Sequence, residues 1–477
     1  MSNNSTSQIK QVLLNPVTVF CEKHPHAAAD KISQINKLRQ HAQTLKKQKR
    51  TVRTQTKIIS RKIGEAKRNN QPVNEFIQLM QEQTAQLRNC EAELDNINKQ
   101  IMEFVAISED NALPVAEKKD ATINERYIAT VEKSEQLTIC EMHNESQAWD
   151  DYVAKHPAST IYHLFKWRKV LQKAYGIESL YLYAHDNEQH IVGVLPLARL
   201  KSRLFGDMFV SMPYFQRGGA IADHPQIEAA LMHAANKEAA RQGVEYIEYR
   251  DDIRRTDIPV QLNKVNMVLS LPHSQDVLWS GFTAKLRAQI KRPQQLMPQV
   301  LIGGREYLDD FYQVYSRNMR DLGSPAHSRL LVKNIIDSFP DRSWIVVIRL
   351  NNIPVSACLL LGHTNTMEIP LASTIRSANP YSMNMLLYWE VLKLAVSQGY
   401  DYFDFGRSSI NANTYRFKQQ WGAQPKQLYW HYWLGSSIEQ PSLTPSNPKY
   451  ALVIYLWKKL PVKLTQWLGP LIVKNIP

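Results

Sequence analysis

The sequence predicts an α+β protein in which a long helical hairpin precedes two copies of one mixed unit. The copies are visible as QGVEYIEYR at Gln242 to Arg250 and QGYDYFDFGR at Gln398 to Arg407. Each follows a helical pattern, contains a glycine suited to the left-handed turn that closes a helix, and continues as a strand in which acidic and apolar residues alternate. Only the second copy runs on into GRSS and a basic, aromatic cluster. We therefore expect a scaffold half and a working half.

Composition limits the class of protein. The 477 residues exceed one ordinary core, so two or three domains are expected. A net charge of +14 favours an anionic partner such as nucleic acid, nucleotide phosphate or lipid headgroups. The four cysteines form no CxxC pair and have no nearby histidine at metal-ligand spacing, so we expect reduced thiols, no metal and no cofactor. Because no signal peptide and no membrane-spanning run is recognisable, we expect a cytoplasmic protein.

Residues 31–106 predict an antiparallel coiled-coil hairpin. Apolar or neutral residues recur at alternating spacings of three and four over residues 35–63 and again over 73–104, on either side of the breaker NNQP. Two helices of similar length joined by a short turn should fold back as an arm roughly 50 Å long. Residues 1–30 before the arm predict a flexible segment, and the polar residues 107–135 after it predict a linker.

The first helix of this arm is strongly basic. Thirteen lysines and arginines lie between Lys31 and Arg68, against the single acid Glu65. Some of this charge must pair with the returning helix, but the surplus suits sequence-independent contact with nucleic-acid phosphates. The alternative is a solvated spacer or a dimerisation arm.

The run ISRKIGEAKRNNQPVNEFIQLM within the arm resembles the tRNA-binding arm of bacterial seryl-tRNA synthetases, which has the same IG-x-AK step and a similar returning helix. No class II synthetase catalytic motif is recognisable after it, so the resemblance implies that only the part that holds tRNA is present. The residues that it implies for tRNA contact are Lys46, Lys47, Lys49, Arg50, Arg53, Lys57, Arg61 and Lys62.

The remaining chain shows one order of elements twice. Residues 136–265 read as strand, helices, strands, loop, helix and repeat strand, and residues 266–435 repeat that order, with the aromatic strand LYWHYWL closing the second half. This order resembles that of a GNAT-type acyltransferase domain. Two tandem GNAT-like domains should pack side by side, with a cleft between them for two substrates.

Several motifs of this body match one family in order. FDFGRS followed by YxFKxxWG, together with HLFKWRKVL and RLFGDMFVSMPYFQRGG, resembles the FemAB family of peptidyl and acyl transferases, especially the branch associated with exopolysaccharide and PEP-CTERM/exosortase gene clusters. The resemblance implies transfer to a peptidoglycan or exopolysaccharide precursor of the cell envelope. The chain differs from that branch at two places. Ser409 replaces a lysine, and Asn411-Ala412-Asn413 replaces the tripeptide GTG. Loss of these glycines limits how closely backbone amides approach a phosphate.

Acyl transfer to an amine requires a neutral nucleophile, donors for the developing oxyanion and a proton acceptor. Lys418, matched to a family lysine and set between Phe417 and Trp421, is the candidate for stabilising the negative charge. Asp404, near the end of the repeat strand, is the candidate base. Because the first copy has Glu248 at the same position, a purely structural role for both acids is an equal alternative.

Basic residues near the motif suit a substrate that carries phosphate. Arg407 and Arg416 can clamp the phosphates of a nucleotide-linked substrate or a tRNA end, with an ion pair to Asp401 or Asp404 as the alternative. The resemblance also implies that Arg320 contacts the acceptor's phosphates. The other candidate substrate-binding residues are Tyr415, Lys169, Trp167, Tyr381, Ser382 and Asn384. Core packing is the preferred alternative for the tryptophan.

Residues 381–384 occupy the loop that meets a pyrophosphate at a helix N-terminus in GNAT domains. The usual Q/R-x-x-G-x-G/A spacing is missing from both halves, so the sequence does not predict coenzyme A binding.

The tail, residues 436–477, alternates lysines with apolar residues and tryptophan. It can lie in a membrane interface, which would place the protein at the inner membrane, or strap across the body, which we favour.

Three functions stay open from the sequence. The first is transfer of an aminoacyl group from aminoacyl-tRNA to an envelope or polysaccharide amine. The second is an N-acyltransferase that uses an acyl thioester, with the arm as a spacer. The third is a non-catalytic scaffold that binds tRNA or the envelope. The oligomeric state is open as well.

Overall fold

The computed structural model describes residues 29–68, 72–110, 137–202, 205–255, 258–435 and 451–477. The predicted flexible N-terminal segment up to residue 28, residues 111–135 of the predicted linker and residues 436–450 of the tail lie outside this description. The chain divides into two compact units, Met1–Ala121 and Thr122–Pro477.

The first unit contains two long helices, α1 (Ala29–Arg68) and α2 (Asn74–Asp110), of 40 and 37 residues. Their buried residues recur at intervals of seven, the spacing of a helix that presents one seam to a partner. These residues are Leu45, Val52, Ile59 and Ala66 on α1, with Cys90 and Ile97 on α2. Leu45, Cys90 and Ile97 belong to one apolar cluster, so the two helices pack against each other.

The second unit contains two sheets with helices packed on them. The first sheet consists of β1 (Thr138–Glu141), β2 (Ser179–His185), β3 (Ile191–Ser202), β4 (Gly206–Val210), β5 (Ile221–Ala222), β6 (Tyr246–Asp251), β7 (Val260–Gln261) and β15 (Tyr429–Leu434). The second consists of β8 (Lys264–Ser270), β9 (Gln299–Gly303), β10 (Ser343–Leu350), β11 (Ile353–His363), β12 (Thr366–Thr374), β13 (Tyr402–Ser409) and β14 (Gln424–Gln427).

The helices of this unit follow in chain order. They are α3 (Gln147–Lys155), α4 (Lys166–Tyr175), α5 (Pro225–Arg241), α6 (Gln275–Gly281), α7 (Ala284–Gln294), α8 (Leu308–Leu322), α9 (Arg329–Ser338), α10 (Met383–Ser397), α11 (Asn413–Gln419), α12 (Ala451–Trp457) and α13 (Val462–Val473). The helices α5 and α10 precede the two repeat strands, and the glycines after them, Gly243 and Gly399, have φ values of +67° and +78°. The left-handed turns expected from the sequence are therefore present.

The two sheets have the same strand order. The first runs β1-β2-β3-β4-β6-β15-β7 and the second, read from its other edge, runs β9-β10-β11-β12-β13-β8-β14. In each sheet the repeat strand is the fifth in this order and pairs in parallel with the fourth, β6 with β4 and β13 with β12. The duplication seen in the sequence is therefore a duplication of topology.

One strand passes from one half to the sheet of the other. Beyond β6 the next strand of the first sheet is β15, the exchanged strand, which comes from the end of the second half. Beyond β13 the next strand of the second sheet is β8, the first strand of that same half. The expectation that LYWHYWL closes the second half is therefore wrong, because Tyr429–Leu434 pairs antiparallel with Asp251 to Tyr246 of β6. Alternation along a strand identifies the strand but not the sheet that receives it.

A buried arginine joins the exchanged strand to the first repeat strand. Arg250 on β6 is 1% exposed, its Nη2 lies 2.6 Å from Glu248 Oε1, and its guanidinium lies 4.4 Å from the ring centroid of Trp430 on β15. Tyr432 of β15 donates a hydrogen bond of 2.7 Å to the other oxygen of Glu248. Glu248 therefore has a structural role.

The tail crosses the body as a strap, the role that the sequence analysis favoured. Gln466 donates to the hydroxyl of Ser316 at 2.8 Å, and Tyr214 donates to the carbonyl of Lys474 at 2.8 Å. A Cβ added at Gly469 would lie 3.0 Å from the backbone of Ala326, so α13 and the body are in close contact. Among the described residues, no helix combines the length and the apolar character needed to cross a membrane.

We predict that Arg250→Met lowers the free energy of unfolding by about 3–5 kcal/mol, because it leaves the buried Glu248 carboxylate without its cation. Urea or guanidinium denaturation measures the change. The matched control is Arg241→Met, which removes an exposed arginine paired with Glu238 and should leave the transition nearly unchanged. Equal effects of the two substitutions would contradict the prediction.

Candidate active site

A cavity of about 280 Å³ lies between the two sheets of the second unit. Residues 157–161 and two charged residues of the first half form one wall, and the ends of β11, β12, β13 and β14 form the other. The ionisable side chains of its lining are Arg217, Asp252, His363, Glu368, Asp404 and Lys426. Both halves therefore supply charged groups to one space.

Asp404 on β13 is the centre of this group of charges. It is fully buried, accepts a hydrogen bond of 2.7 Å from the backbone N–H of Gly406, and lies 3.3 Å from Nη2 of Arg217. The side-chain amide of Asn266, on the neighbouring strand β8, also donates to it. Because these donors come from β13, from β8 and from the first half, the carboxylate joins the two halves. The other end of Arg217 lies 3.6 Å from Asp252.

Glu368 on β12 is a second buried acid, which the sequence analysis did not identify. It pairs in register with Asp404, is 3% exposed, and accepts hydrogen bonds from the hydroxyl of Tyr162 and, at 3.5 Å, from Gln216. Burial raises the pKa of this carboxyl to about 8, and the negative charge of Asp404 adds to the effect. Glu368 can therefore exchange a proton near neutral pH.

A signal for Glu368 existed in the sequence. In the first sheet, Val210 on β4 pairs with Glu248, and in the second sheet Glu368 on β12 pairs with Asp404. Val210 and Glu368 are therefore equivalent positions, apolar in the first copy and acidic in the second. An acid inside the otherwise apolar strand MEIPLAST has a high desolvation cost and so indicates a specific role. That comparison requires the strand pairing, which the sequence did not provide.

Lys418 and Asp404 bind the two peptide groups on either side of the Gly406 Cα. Lys418 on α11 is 8% exposed, and its Nζ donates hydrogen bonds of 2.9 Å to the carbonyls of Gly406 and Arg407. Asp404 accepts from the N–H of that same Gly406. Burial lowers the pKa of the Lys418 ammonium to about 8, with a further contribution from the positive charge of Arg407. The structure thus brings together the two residues predicted to be catalytic.

A local irregularity of β13 makes this arrangement possible. The pairing of β13 with β8 shifts register between Asp404 and Arg407, and Gly406 within the shift has a φ of +76°, a conformation that favours glycine. The short helix α11 then folds back over the strand, because Phe417 and Trp421 pack around Tyr388 with ring centroids 4.9 and 6.1 Å away. The sequence FDFGRS followed by YRFKQQWG therefore specifies a bulge and a helix that covers it.

The arginine that follows the bulge is exposed. The guanidinium of Arg407 lies 5.3 Å from the ring centroid of Trp430, the ring that also contacts Arg250. Nearby, Nζ of Lys264 donates a hydrogen bond of 2.7 Å to the hydroxyl of Ser409. Burial and the charge of Arg407 lower the pKa of Lys264, so the two cations lie close together. On α11, Arg416 is exposed and Tyr415 is half-buried.

Of the predicted catalytic and substrate-binding residues, only Asp404 belongs to the described lining of the cavity; the other ten, Lys418 and Arg407 among them, do not. Trp167 is fully buried, donates to the carbonyl of Ile161 at 2.8 Å and packs on Tyr162, which is the core role that the sequence analysis preferred. Arg320 binds its neighbour Asp321 at 2.6 Å and the carbonyl of Leu460 at 2.8 Å. The remaining four are Lys169 and Tyr381, both exposed, Ser382, with a φ of +60°, and Asn384, half-buried. Their substrate contacts stay predictions.

A serine and a histidine meet at the cavity wall, but their geometry does not suit a nucleophile. Nε2 of His363 lies 3.0 Å from the hydroxyl of Ser159, and Nδ1 lies 3.5 Å from Nη1 of Arg342. Burial lowers the pKa of His363 to about 3, so the ring is neutral. Because an arginine can only donate, Nδ1 is the acceptor and Nε2 carries the proton. His363 therefore donates to Ser159 and does not take its proton.

The eight basic residues predicted to contact tRNA all lie on α1. The side chain of Lys62 is exposed and that of Lys49 is half-buried. The side chains of Lys46, Lys47, Arg50, Arg53, Lys57 and Arg61 lie outside the described residues, and the tRNA contact stays a prediction.

Within the described ranges, no group of three or more histidine, cysteine, aspartate or glutamate side chains is arranged to hold a metal ion. The charges of the cavity are instead balanced by Arg217, which lies between Asp252 and Asp404.

Comparison with known proteins gives the class. The acetyltransferase (GNAT) domain family matches residues 280–419, which include Glu368, Asp404 and Lys418. No curated protein matches the chain. The crystal structure of FemX is similar over 66% of this chain and 100% of its own, with a TM-score of 0.50 and 14% identity.

Two further structures are similar at lower scores. A tandem GNAT protein from the clavulanic acid biosynthesis pathway is similar over 63% of this chain and 100% of its own, with a TM-score of 0.40 and 12% identity. The C-terminal domain of a putative lysylphosphatidylglycerol synthetase from Agrobacterium fabrum is similar over 61% of this chain and 92% of its own, with a TM-score of 0.43 and 10% identity.

The family match and the fold together support an acyltransferase with GNAT-like sheets. The matched residues contain the motif FDFGRS and the first five residues of YxFKxxWG, up to Gln419. A GNAT fold implies, in general, a donor of an acyl or aminoacyl group and an amine that accepts it.

We predict that Glu368→Gln changes how stability depends on pH. Because the pKa of Glu368 is raised to about 8 in the folded protein, this group stabilises the fold fully below its ordinary pKa and loses that contribution as the pH rises towards 8. The difference in unfolding free energy, wild type minus variant, should therefore fall between about pH 5 and about pH 8. Denaturant titrations at several pH values measure it. The exposed Glu145→Gln is the control, and a pH-independent difference for Glu368→Gln would refute the assignment.

Proposed function

We propose that this protein transfers an aminoacyl group from aminoacyl-tRNA to an amine of a cell-envelope or exopolysaccharide precursor. The observation that carries the proposal is the backbone of Gly406, whose N–H is bound by Asp404 and whose C=O is bound by Lys418, beside the protonatable Glu368. In this proposal the arm is residues 31–106, and the two halves of the body are residues 136–265 and 266–435 apart from the exchanged strand.

The site must stabilise an oxyanion, accept a proton from the attacking amine and allow the leaving oxygen to be protonated. The neutral amine attacks the carbonyl carbon of the aminoacyl ester, a C–N bond forms, and negative charge develops on the carbonyl oxygen. The attacking nitrogen then loses a proton to a base. Finally the C–O bond of the ester breaks, and the ribose oxygen leaves as a hydroxyl after taking up a proton. The products are an amide and the free tRNA end, and no oxidant or reductant is required.

Lys418 stabilises the developing oxyanion in this mechanism. An ammonium has three N–H groups, and two of them are bonded to the carbonyls of Gly406 and Arg407. Within the described residues the third is left for a ligand. The two carbonyls fix the direction of this N–H, and a donor fixed in advance has little reorganisation to undergo when charge develops.

Glu368 is the better proton acceptor of the two acids. Asp404 already accepts from Gly406, Arg217 and Asn266, so its lone pairs are largely used by fixed donors. Glu368 has a pKa raised to about 8, close to the value that suits a base working near neutral pH. We therefore assign proton transfer to Glu368 and give Asp404 the role of positioning the Gly406 peptide and Arg217.

Phosphate of the donor or acceptor fits the basic group that follows the bulge. Arg407 is exposed with Lys264 nearby, and Arg416 is exposed on α11. The missing GTG step is partly compensated, because Asn411 has a φ of +64°, the left-handed conformation that a glycine would otherwise supply. This observation supports a working enzyme over a scaffold that has lost activity.

The arm supports aminoacyl-tRNA as the donor. Its first helix carries the thirteen basic residues, and the buried residues of α1 recur along a single seam, so part of the helix surface stays available to an anionic partner. The alternative donor, an acyl thioester, makes no use of that charge.

We predict that Lys418→Met lowers the rate of transfer by about 10²–10³ without unfolding the protein, because a neutral chain of similar length cannot stabilise an oxyanion. Release of labelled amino acids from charged bulk tRNA in the presence of amine acceptors measures the rate. Wild-type activity should rise to a maximum near pH 8, as Glu368 loses its proton and can act as a base, and should fall at higher pH, where Lys418 loses its proton. Lys418→Arg should keep part of the activity and move this decline to higher pH.

The control for that substitution is Lys285→Met, at an exposed lysine on α7, which should leave the rate unchanged. Full activity of Lys418→Met, with an unchanged thermal transition, would overturn the assignment of Lys418.

We also predict that the full chain binds bulk tRNA with an affinity that falls steeply with salt. Replacing Lys46, Lys47, Arg50 and Arg53 together by glutamine, a good helix former, should weaken binding by about 10–100-fold and reduce the salt slope by about 3. Titration at two salt concentrations measures both. Arg88→Gln with Lys99→Gln on α2 is the control and should have a small effect. Salt-insensitive binding, or an unchanged slope in the quadruple variant, would exclude the tRNA donor and leave the thioester.

A further inference from the structure

The outer face of the tail is unusually apolar for a surface. Its exposed apolar residues are Leu452, Val453, Tyr455 and Leu456 on α12, and Leu464, Trp467, Leu471 and Ile472 on α13. Leu452 and Trp467 are both 67% exposed. Contiguous apolar side chains of this size on a surface indicate an interaction site. We refer to these eight residues as the tail face.

The orientation of α13 is fixed by its opposite side. Thr465, Gly469 and Val473 are buried at intervals of four, and Gly469 touches the backbone of Ala326. Residues of a helix are 100° apart, so Leu464, Trp467 and Leu471 must point away from the body. The strap and the tail face are therefore two sides of the same helix, and the exposure of the tail face follows from the docking.

The charge around the tail face has one sign. Residues 451–477 contain Lys458, Lys459, Lys463 and Lys474 and no aspartate or glutamate. Lys459 lies 5.7 Å from the ring centroid of Tyr455, and Lys458 and Lys463 are exposed. At an anionic bilayer surface, apolar side chains, tryptophan and tyrosine can enter the boundary between headgroups and acyl chains, while flanking lysines contact the anionic headgroups. The tail face has this combination of side chains.

We propose that the tail face binds an anionic phospholipid surface, with α12 and α13 lying in the plane of the headgroups. Helices of 7 and 12 residues are too short to span a bilayer, so the contact is peripheral. A second copy of the chain is a poorer occupant, because pairing two tail faces would bring the lysines of both copies together without an acid between them. This inference does not depend on which acyl donor the transferase uses.

Sedimentation of the full-length protein with vesicles tests the proposal. Mixed phosphatidylcholine and phosphatidylglycerol vesicles should bind the protein, and pure phosphatidylcholine vesicles should bind it far more weakly. Binding should weaken as salt is raised. Replacing Lys458, Lys459 and Lys463 together by glutamine should reduce the affinity by about a hundredfold, since each lysine near an anionic surface contributes about fivefold.

The apolar contribution is tested separately. Trp467→Ser with Leu471→Ser should lower the affinity by more than about tenfold, because both side chains enter the interface. The matched control is Met297→Ser with Val277→Ser, two exposed apolar residues of the same unit that lie outside the tail face. All variants should keep the thermal transition of the wild type, since the substituted side chains are exposed.

Three results would overturn the proposal. The first is equal binding to charged and neutral vesicles, and the second is wild-type binding by the Trp467 and Leu471 variant. The third is a dimer in sedimentation velocity that the same variant abolishes while vesicles compete poorly, which would assign the tail face to a second copy.

Discussion

The pairing of β15 with β6 holds the body together. The second half keeps its first strand, β8, beside β13 and supplies its last strand, β15, to the first sheet. The first sheet would otherwise expose one edge of its repeat strand, which is costly because unpaired backbone groups there must be satisfied. The buried contact of Arg250 with Glu248 and Trp430 then secures β15 in place. The first half has no complete sheet without the second.

The strand order positions the site. Asn266 reaches Asp404 because β8 lies beside β13 within the second sheet, and Trp430 contacts Arg407 only because β15 lies beside β6 in the first. Glu248 and Asp404 occupy equivalent positions, yet they do different things. In the first copy, Glu248 is bound by Arg250 and Tyr432. In the second copy, Asp404 lies beside the bulge at Gly406, which the buried Lys418 also binds, and it pairs with Arg217 of the other half. A duplicated framework thus acquired one structural acid and one acid at a cavity.

The sequence predicted much of this fold and part of the site. The repeat strands, the helices before them and their closing glycines follow from local patterns, and Lys418 and Asp404 both bind the backbone of Gly406. The placement of LYWHYWL was wrong because the alternation of apolar and polar residues predicts a strand but not the strand with which it pairs. Glu368 and Arg217 were missed for the same reason, since their importance comes from contacts between segments far apart in the chain. The sequence analysis chose between a strap and a membrane contact as if the tail had one role. In the structure one side of α13 packs on the body and the other side is exposed.

The position of β15 also bears on how the cleft can move. Two globular halves joined by one linker can open as a hinge, but here the chain passes between the sheets twice, through residues 262–263 between β7 and β8 and through Leu428 alone between β14 and β15. Two such short connections resist a wide opening, so the separation of the cavity walls is set when the chain folds. Ligands must therefore enter along the open side of a preformed groove. Selection between substrates then depends on their shape and charge at entry, and not on a closure that follows binding.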